Sequence, residues 1–200
     1  MPIEIESPEQ IGYQNIEANL AESSVTDAVL STLNFQLNDL VLCYGDHFGK
    51  PELRELIVQD DAGLTRDDVL VTAGAATALF IVNTSLLKPD DHLIVAFPNY
   101  STNIETPRAI GCQVDFLRLT FEEGFRVNLE KLAALIRPQT KLISLTTPHN
   151  PTGTMLSHAA FANGGRMAGS PASPAKRANR VMPIIGVNST MRSARGSRTG

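Results

Sequence analysis

Three short segments of this 200-residue chain combine residue types that can hold a small polar ligand. The segment 148–153, PHNPTG, follows a short apolar run typical of a buried strand, and its Asn150 carries an amide that can donate to an anionic oxygen. Turn chemistry alone explains Pro-Thr-Gly equally well. The carboxyl end of a strand is, however, where open α/β sheets bind ligands, which favours a binding role.

Two other segments also follow predicted strands. Residues 72–77, TAGAAT, run directly into a helix, so the free backbone amides of Ala75 and Ala76 would face an anion such as a phosphate group with no side chain in the way. Residues 97–100, FPNY, offer the ring of Tyr100 for stacking on a planar ring. Phosphate, planar ring and phenolate oxygen together describe pyridoxal phosphate.

The elements that must position these segments alternate between strand and helix. Apolar runs predict strands over 68–71, 93–96, 113–119 and 141–146. Helical spacing and start signals predict helices over 25–40, 51–61, 74–87, 102–109 and 129–136. Repeated βα units of this length predict an α/β fold, with a mostly parallel or mixed sheet covered by helices on both faces.

Charge and composition change abruptly near Leu156. All 21 acidic residues lie at or before Glu130, whereas residues 157–200 contain seven basic residues and no acidic one. This last segment has no strand or helix periodicity, and its composition predicts a disordered end. Nucleic-acid binding is not expected, because no aromatic residues are interleaved with its arginines.

Several other classes of protein are also disfavoured. Cys43 and Cys112 have neither metal-ligand spacing nor the density of a disulfide framework, so no metal site is predicted. No apolar run approaches the roughly 18 residues that a spanning helix needs, so no membrane association is expected. The first residues show no signal pattern, and a cytoplasmic location is the expectation.

Four motifs in order make the chain resemble the class I and II aminotransferases, fold-type-I enzymes that depend on pyridoxal phosphate. The motifs are Tyr44 with GKPELR at 49–54, residues 74–76 after a strand, PNY at 98–100, and NPTG at 150–153. The resemblance covers roughly residues 12–156. It implies an N-terminal arm and small-domain segment over 1–40, part of the large cofactor-binding domain over 41–156, and an unrelated or frame-shifted end over 157–200.

The resemblance implies a role for each motif in binding pyridoxal phosphate. Asn150 would donate to O3′ of the cofactor, and Tyr100 would stack on its pyridine ring. Tyr44 would reach the phosphate of the neighbouring subunit, which makes a homodimer part of the site. The phosphate itself would be held by Gly74, Ala75 and Ala76.

Two further residues in these motifs, Ala76 and His149, are not expected to contact the cofactor through their side chains. Ala76 departs from the family pattern, since many members have Ser or Thr there, and that hydroxyl contact is lost unless Thr77 supplies it. His149 is expected to have a packing or hydrogen-bonding role.

No catalytic residue is assigned, because the Schiff-base lysine of the family is not found. Lys176 lies too close to Asn150, without the strands that the family places between them. No acidic residue follows Glu130 to face the pyridine nitrogen. The expected function is therefore amino-group transfer from an amino acid to a 2-oxo acid by family, in a chain that we expect to be a truncated or frame-shifted reading.

Other functions stay open. Other fold-type-I chemistries, as in a C–S lyase or an enzyme resembling ACC synthase, share these motifs. A non-catalytic protein could bind the cofactor or dimerise with a complete paralogue. A Rossmann-type nucleotide binder is disfavoured, because no Gly-x-Gly-x-x-Gly follows a strand.

Overall fold

Three parallel strands form the centre of the fold in a computed structural model that describes residues 8–19, 29–33, 38, 40–61 and 63–156. β1 (His92–Phe97) lies between β2 (Gln113–Arg118) and β3 (Thr140–Ser144). The β1–β2 ladder is regular, whereas the β1–β3 ladder is irregular between His92 and Leu93. Because β1 is the central strand, its side chains are buried on both faces.

The described residues include five α-helices and three short 3₁₀ turns. The helices are α1 (Pro8–Ile11), α2 (Pro51–Val58), α3 (Ala75–Leu86), α4 (Thr102–Ile110) and α5 (Leu129–Leu135). The 3₁₀ turns are Tyr13–Asn15, Leu30–Leu33 and Arg66–Asp68. No helix in this part of the chain is both long and apolar enough to cross a membrane.

Strand alternation divides the core into two layers. Ile94 and Ala96 of β1 pack with Leu132 of α5 on one face of the sheet. Leu93 and Val95 of β1 pack with residues of α4 and the end of α3 on the other face. Successive strand residues point to opposite faces, so the sheet is covered on both sides, as the sequence predicts.

Local signals explain where the helices begin and end. The Asn128 side chain accepts hydrogen bonds from the backbone amides of Glu130 (2.9 Å) and Lys131 (3.0 Å), which caps α5. Pro51 occupies the start of α2, where its missing N–H costs nothing. Gly111 ends α4 in a left-handed conformation with φ 92°.

A polar cluster around the buried His92 lies at the amino end of the sheet. Nδ1 of His92 lies 2.8 Å from the Thr140 hydroxyl, and its Nε2 lies 3.3 Å from an oxygen of Asp115, which pairs in turn with Arg137. Burial lowers the pKa of His92, an effect that Asp115 opposes and Arg137 reinforces. This cluster lies at the end of β1 opposite to the segments that the sequence marks as ligand-binding.

The predicted α/β fold is confirmed, with one wrong element. Residues 68–71 do not form a strand. Instead, Arg66–Asp68 form a 3₁₀ turn, which a capping box between Thr65 and Asp68 stabilises. A strand needs a continuous partner, and among the residues that the structure describes one ladder-like bond is present here, from the Val71 amide to the Phe48 carbonyl (2.9 Å). Most of the helix predicted over 25–40, and the whole segment 157–200, lie outside the described residues.

Candidate active site

A cavity of about 380 Å³ opens at the carboxyl ends of β1 and β3. β2 and β3 lie on opposite sides of β1, so the connection from β1 through α4 to β2 leads away from β3 and leaves a crevice beside the end of β3. The cavity is lined by Ala75 and Leu79 of α3, by Tyr100, Asn103 and Thr146, and by Pro148, His149, Asn150, Pro151 and Gly153. The structure thus brings Ala75, Tyr100 and Asn150 together, although 75 residues separate the first from the last.

The first wall of the cavity is the beginning of α3. Gly74 precedes the helix with φ 84°, and a Cβ atom added there would meet no atom within 4 Å. The first amides of an α-helix have no acceptor inside the helix, and no acidic side chain lies in this first turn to offset its positive end. Ala75 and its neighbour Ala76 therefore offer an uncompensated anion seat.

The Thr77 hydroxyl does not act as an additional donor to this seat. It donates to the Ala73 carbonyl at 2.9 Å, one turn earlier. Since a hydroxyl has one proton, this bond occupies the donor that Thr77 would need in order to supply the hydroxyl contact missing at Ala76.

A buried amide network orients Tyr100. Oδ1 of Asn99 accepts from the Tyr100 backbone amide (2.8 Å) and from Nδ2 of Asn103 (2.9 Å), while Nδ2 of Asn99 donates to the Ala96 carbonyl (2.9 Å). Oδ1 of Asn103 accepts from the Ser144 hydroxyl (3.1 Å). The network connects the loop after β1 to α4 and to β3. It therefore holds the loop that carries Tyr100 at a fixed position relative to β3.

The sequence pattern did not single out Asn103 or Ser144. Each is an ordinary polar residue in its own segment, and the two lie 41 positions apart. One signal was present: Asn103 interrupts the apolar face of α4, where a buried polar residue requires a partner.

The turn that carries Asn150 is closed by backbone hydrogen bonds. The Gly153 amide donates to the His149 carbonyl (2.7 Å), and the His149 amide donates to the Thr154 carbonyl (2.8 Å). Gly153 has φ 70°, a conformation that favours glycine. Asn150 is held between these bonds and lines the cavity.

His149 lies between this cavity and a second one. It is 5% exposed, and together with Thr146 it also lines a cavity of about 580 Å³ on the α5 side of the sheet. Its Nδ1 lies 2.8 Å from the Thr152 hydroxyl. Burial lowers the pKa of His149, and the Pro98 carbonyl counteracts part of this effect. These contacts agree with the expected packing and hydrogen-bonding role.

Tyr44 does not line the cavity of this chain. Its side chain is fully exposed. The turn that follows it is held by the buried Arg54, whose guanidinium contacts Asp46 (3.4 Å), the Arg66 carbonyl (3.1 Å) and the ring of Phe48. The role of Tyr44 at a neighbouring subunit therefore stays a prediction.

Within the described ranges, the cavity is lined by neither a lysine nor a carboxylate. These residues also contain no cluster of three or more metal-ligating side chains. The described lining contains the start of a helix, an aromatic ring and amide groups, which are groups that can hold a ligand by hydrogen bonding and stacking.

Comparison with known proteins gives one consistent result. The model of the family "Aminotransferase class I and II" matches residues 15–163. Arginine–pyruvate transaminase AruH of Pseudomonas aeruginosa is 39% identical over 123 residues, which cover 59% of this chain and 31% of that protein. Methionine aminotransferase of Escherichia coli is 34% identical over 125 residues, covering 60% and 32%.

Solved structures agree with the sequence matches. A PLP-dependent aminotransferase from Streptococcus suis superposes with a TM-score of 0.64 at 33% identity, over 66% of this chain and 36% of that one. Alanine aminotransferase from Pyrococcus furiosus gives 0.60 at 31% identity, over 64% and 34%. This chain spans about a third of the length of the relatives that it matches.

Proposed function

The chain belongs to the class I and II aminotransferase family, and we propose that its cavity is part of a pyridoxal-phosphate site used for amino-group transfer. By family it is an enzyme, a transferase with the fold of pyridoxal-phosphate-dependent aminotransferases. The observation that carries the proposal is the convergence of Ala75, Tyr100 and Asn150 on one cavity.

The residues present fit this cofactor. A phosphate suits the start of α3, because unpaired amides and the positive end of the helix dipole face it and Gly74 leaves the approach clear. The ring of Tyr100 is 39% exposed and available for stacking on the pyridine. The amide of Asn150 can donate to the phenolic oxygen at the edge of that ring.

Each residue then has a task in binding rather than in bond breaking. Bound pyridoxal phosphate supplies the electron sink that stabilises a carbanion next to the amino group. Gly74, Ala75 and Ala76 would anchor the phosphate, Tyr100 would stack on the ring, and Asn150 would donate to the phenolic oxygen.

The proposal extends to features of the whole enzyme. We propose amino acid and 2-oxo acid substrates, a homodimer to which Tyr44 contributes across the subunit boundary, and a cytoplasmic location. Residues 41–156 would be part of the large domain, with an arm and small-domain segment before them. The amine that the reaction requires would come from outside the described residues.

A second candidate function is cofactor binding without catalysis. It is favoured by the absence of any lysine from the cavity lining in the described part of the chain. The protein would then act as a binder or as a dimerisation partner of a complete paralogue.

Titration of the full chain with pyridoxal phosphate, followed by absorbance, tests the binding proposal. Asn150→Ala and Tyr100→Ala should weaken binding about tenfold, the value of one hydrogen bond to a charged group or one stacking contact. Tyr100→Phe keeps the ring and should bind nearly as well. Asn15→Ala changes an exposed asparagine outside the cavity and serves as the matched control.

Equal affinity for all four variants, or no saturable binding by the parent chain, would refute a site at this cavity. Borohydride treatment followed by peptide mapping separates the two candidate functions. Reductive attachment of the cofactor to one defined lysine supports the enzyme, and saturable binding without attachment supports the non-catalytic binder.

A further inference from the structure

The apolar face of α2 points away from the segments that pack against this helix. Leu53, Leu56 and Ile57 lie at the i, i+3 and i+4 positions, and they are 42%, 61% and 55% exposed. A stripe of this kind normally packs into a core. In the described part of the chain it stays open to solvent instead.

A charged residue holds the opposite side of α2. Arg54 is 6% exposed, and its guanidinium contacts Asp46 (3.4 Å) and the Arg66 carbonyl (3.1 Å). Rotating α2 to bury its apolar stripe would break these contacts and expose a cation that the fold has already paired. The stripe can therefore be covered only by another segment of the chain or by another molecule.

The surroundings of the stripe are acidic. Residues 46–68 contain seven acidic and three basic residues, and the acidic side chains near the two ends of α2 are exposed: Glu52, Asp60 and Asp61. A second copy placed on the stripe about a two-fold axis would bring two such acidic surfaces together, which like charges oppose. The charge therefore favours a basic occupant.

One segment of this chain has the complementary composition. Residues 176–192, KRANRVMPIIGVNSTMR, contain an apolar island, VMPII at 181–185, between three basic residues on one side and Arg192 on the other. No acidic residue is present in the segment. Its apolar island matches the apolar stripe, and its basic residues match the acidic ends of the helix.

The chain is long enough for this contact to form within one molecule. The 24 residues 157–180 separate the last described residue, Leu156, from the island. A chain of this length spans at most about 80 Å when extended and roughly 27 Å as a flexible coil. A compact domain of this size has a radius of gyration of roughly 15 Å, so the island can reach any of its faces. The tether also raises the local concentration of the segment.

We propose that residues 176–192 bind the apolar face of α2 within the same chain. The island at 181–185 packs on Leu53, Leu56 and Ile57, and the flanking basic residues lie beside the acidic groups at the ends of the helix. The contact covers an apolar surface that would otherwise attract other molecules. It is independent of pyridoxal phosphate and of the proposed function, and its test needs no cofactor.

Photo-crosslinking of the full chain tests the contact. The photoreactive amino acid p-benzoylphenylalanine in place of Leu56 should cross-link to a peptide within 176–192, located by mass spectrometry after proteolysis. Ile57, on the same face, is a second position with the same expected product. The matched control is the same amino acid in place of Phe121, which is 80% exposed and lies outside α2; it should give no product with 176–192.

Two further measurements define the occupant. A mixture of ¹⁴N- and ¹⁵N-labelled chains should give only all-light and all-heavy products, because both ends of the cross-link belong to one molecule. Ile184→Asp places a charge in the island and should lower the yield about fivefold or more. Thr199→Asp adds the same charge outside 176–192 and should change the yield by less than about twofold. Far-ultraviolet circular dichroism verifies that each variant is folded.

Four results would overturn the proposal. They are a cross-link from α2 to any other segment, a product that joins two chains, the absence of a product at both positions, and equal yields for Ile184→Asp and Thr199→Asp. A product that joins two chains through α2 itself would identify a second copy as the occupant.

Discussion

The buried link between Asn103 and Ser144 should stabilise the fold measurably, because it joins α4 to β3 across the cavity floor. Both residues are at least 95% buried, and the Ser144 hydroxyl donates to Oδ1 of Asn103 at 3.1 Å. Ser144→Ala leaves that oxygen without this donor and should cost about 1–3 kcal/mol of the free energy of unfolding. Asn103→Ala removes the bonds to Ser144 and Asn99 and should cost roughly 2–4 kcal/mol.

A double-mutant cycle isolates the contact itself. If the bond exists as described, the two substitutions together should cost about 1 kcal/mol less than the sum of the single effects, since the second change no longer breaks an intact bond. Urea denaturation followed by circular dichroism gives the three free energies. Asn15→Ala, which removes an exposed asparagine, controls for the loss of an amide in general and should change stability by less than about 0.5 kcal/mol.

Strict additivity within experimental error would refute the reasoning, because two residues that share a bond cannot act independently. So would a negligible effect of Ser144→Ala, which would mean that water or another donor satisfies Asn103. A third readout follows from the geometry: Asn103→Ala should also weaken cofactor binding, because Asn103 holds Asn99, which in turn holds the Tyr100 amide.

Three further predictions concern the frame around the site. The free energy of unfolding should decrease as the pH falls below about 6.5, because folding favours neutral His92 and protonation of the unfolded chain then favours unfolding. Each histidine with a lowered pKa changes this free energy by at most about 1.4 kcal/mol per pH unit. Urea denaturation at several pH values measures the change. The lost stability should be smaller in His92→Gln, and an unchanged pH profile would contradict the assignment. Asn128→Ala should cost about 1 kcal/mol by removing the cap of α5, while Asn128→Asp should retain most of it; equal losses would argue against capping. Gly49→Ala should cost about 2–4 kcal/mol of the free energy of unfolding, because the new Cβ would lie 2.5 Å from that of Val71. Gly74→Ala brings its Cβ within 4 Å of no atom, so it should cost only the strain of the positive φ, about 1–2 kcal/mol. Thermal unfolding compares the two variants, and a larger loss for Gly74→Ala would refute the packing argument.

Local patterns were sufficient to predict most of the elements. Apolar runs identified β1 and β3, and Asn128 identified the start of α5, because burial and capping leave their signals in consecutive residues. The wrongly predicted strand at 68–71 has the same apolar pattern, but a strand also requires a partner strand, which is often distant in the chain. Propensity could not reveal that, in the described part of the chain, Val71 pairs with Phe48 through one ladder-like bond.

The sequence was sufficient to predict which segments form the site, but not the hydrogen bonds that hold these segments in place. The sequence placed three residues after predicted strands, and in the structure all three line one cavity: Ala75, Tyr100 and Asn150. Their roles in binding remain predictions. The amide network could not be foreseen, because it depends on how β3 packs against α4. Thr77 illustrates the same limit: its position suggested a second donor, and its proton is used by the helix.

The polar cluster and the cavity lie at opposite ends of β1. The His92 cluster occupies one end and the cavity the other, separated by a six-residue strand that spans roughly 20 Å. Changes at opposite ends should therefore combine without interference, as is usual for sites more than about 10 Å apart. Substitutions at the buried His92 could thus change the stability of the amino end and leave the ligand-facing end unaffected.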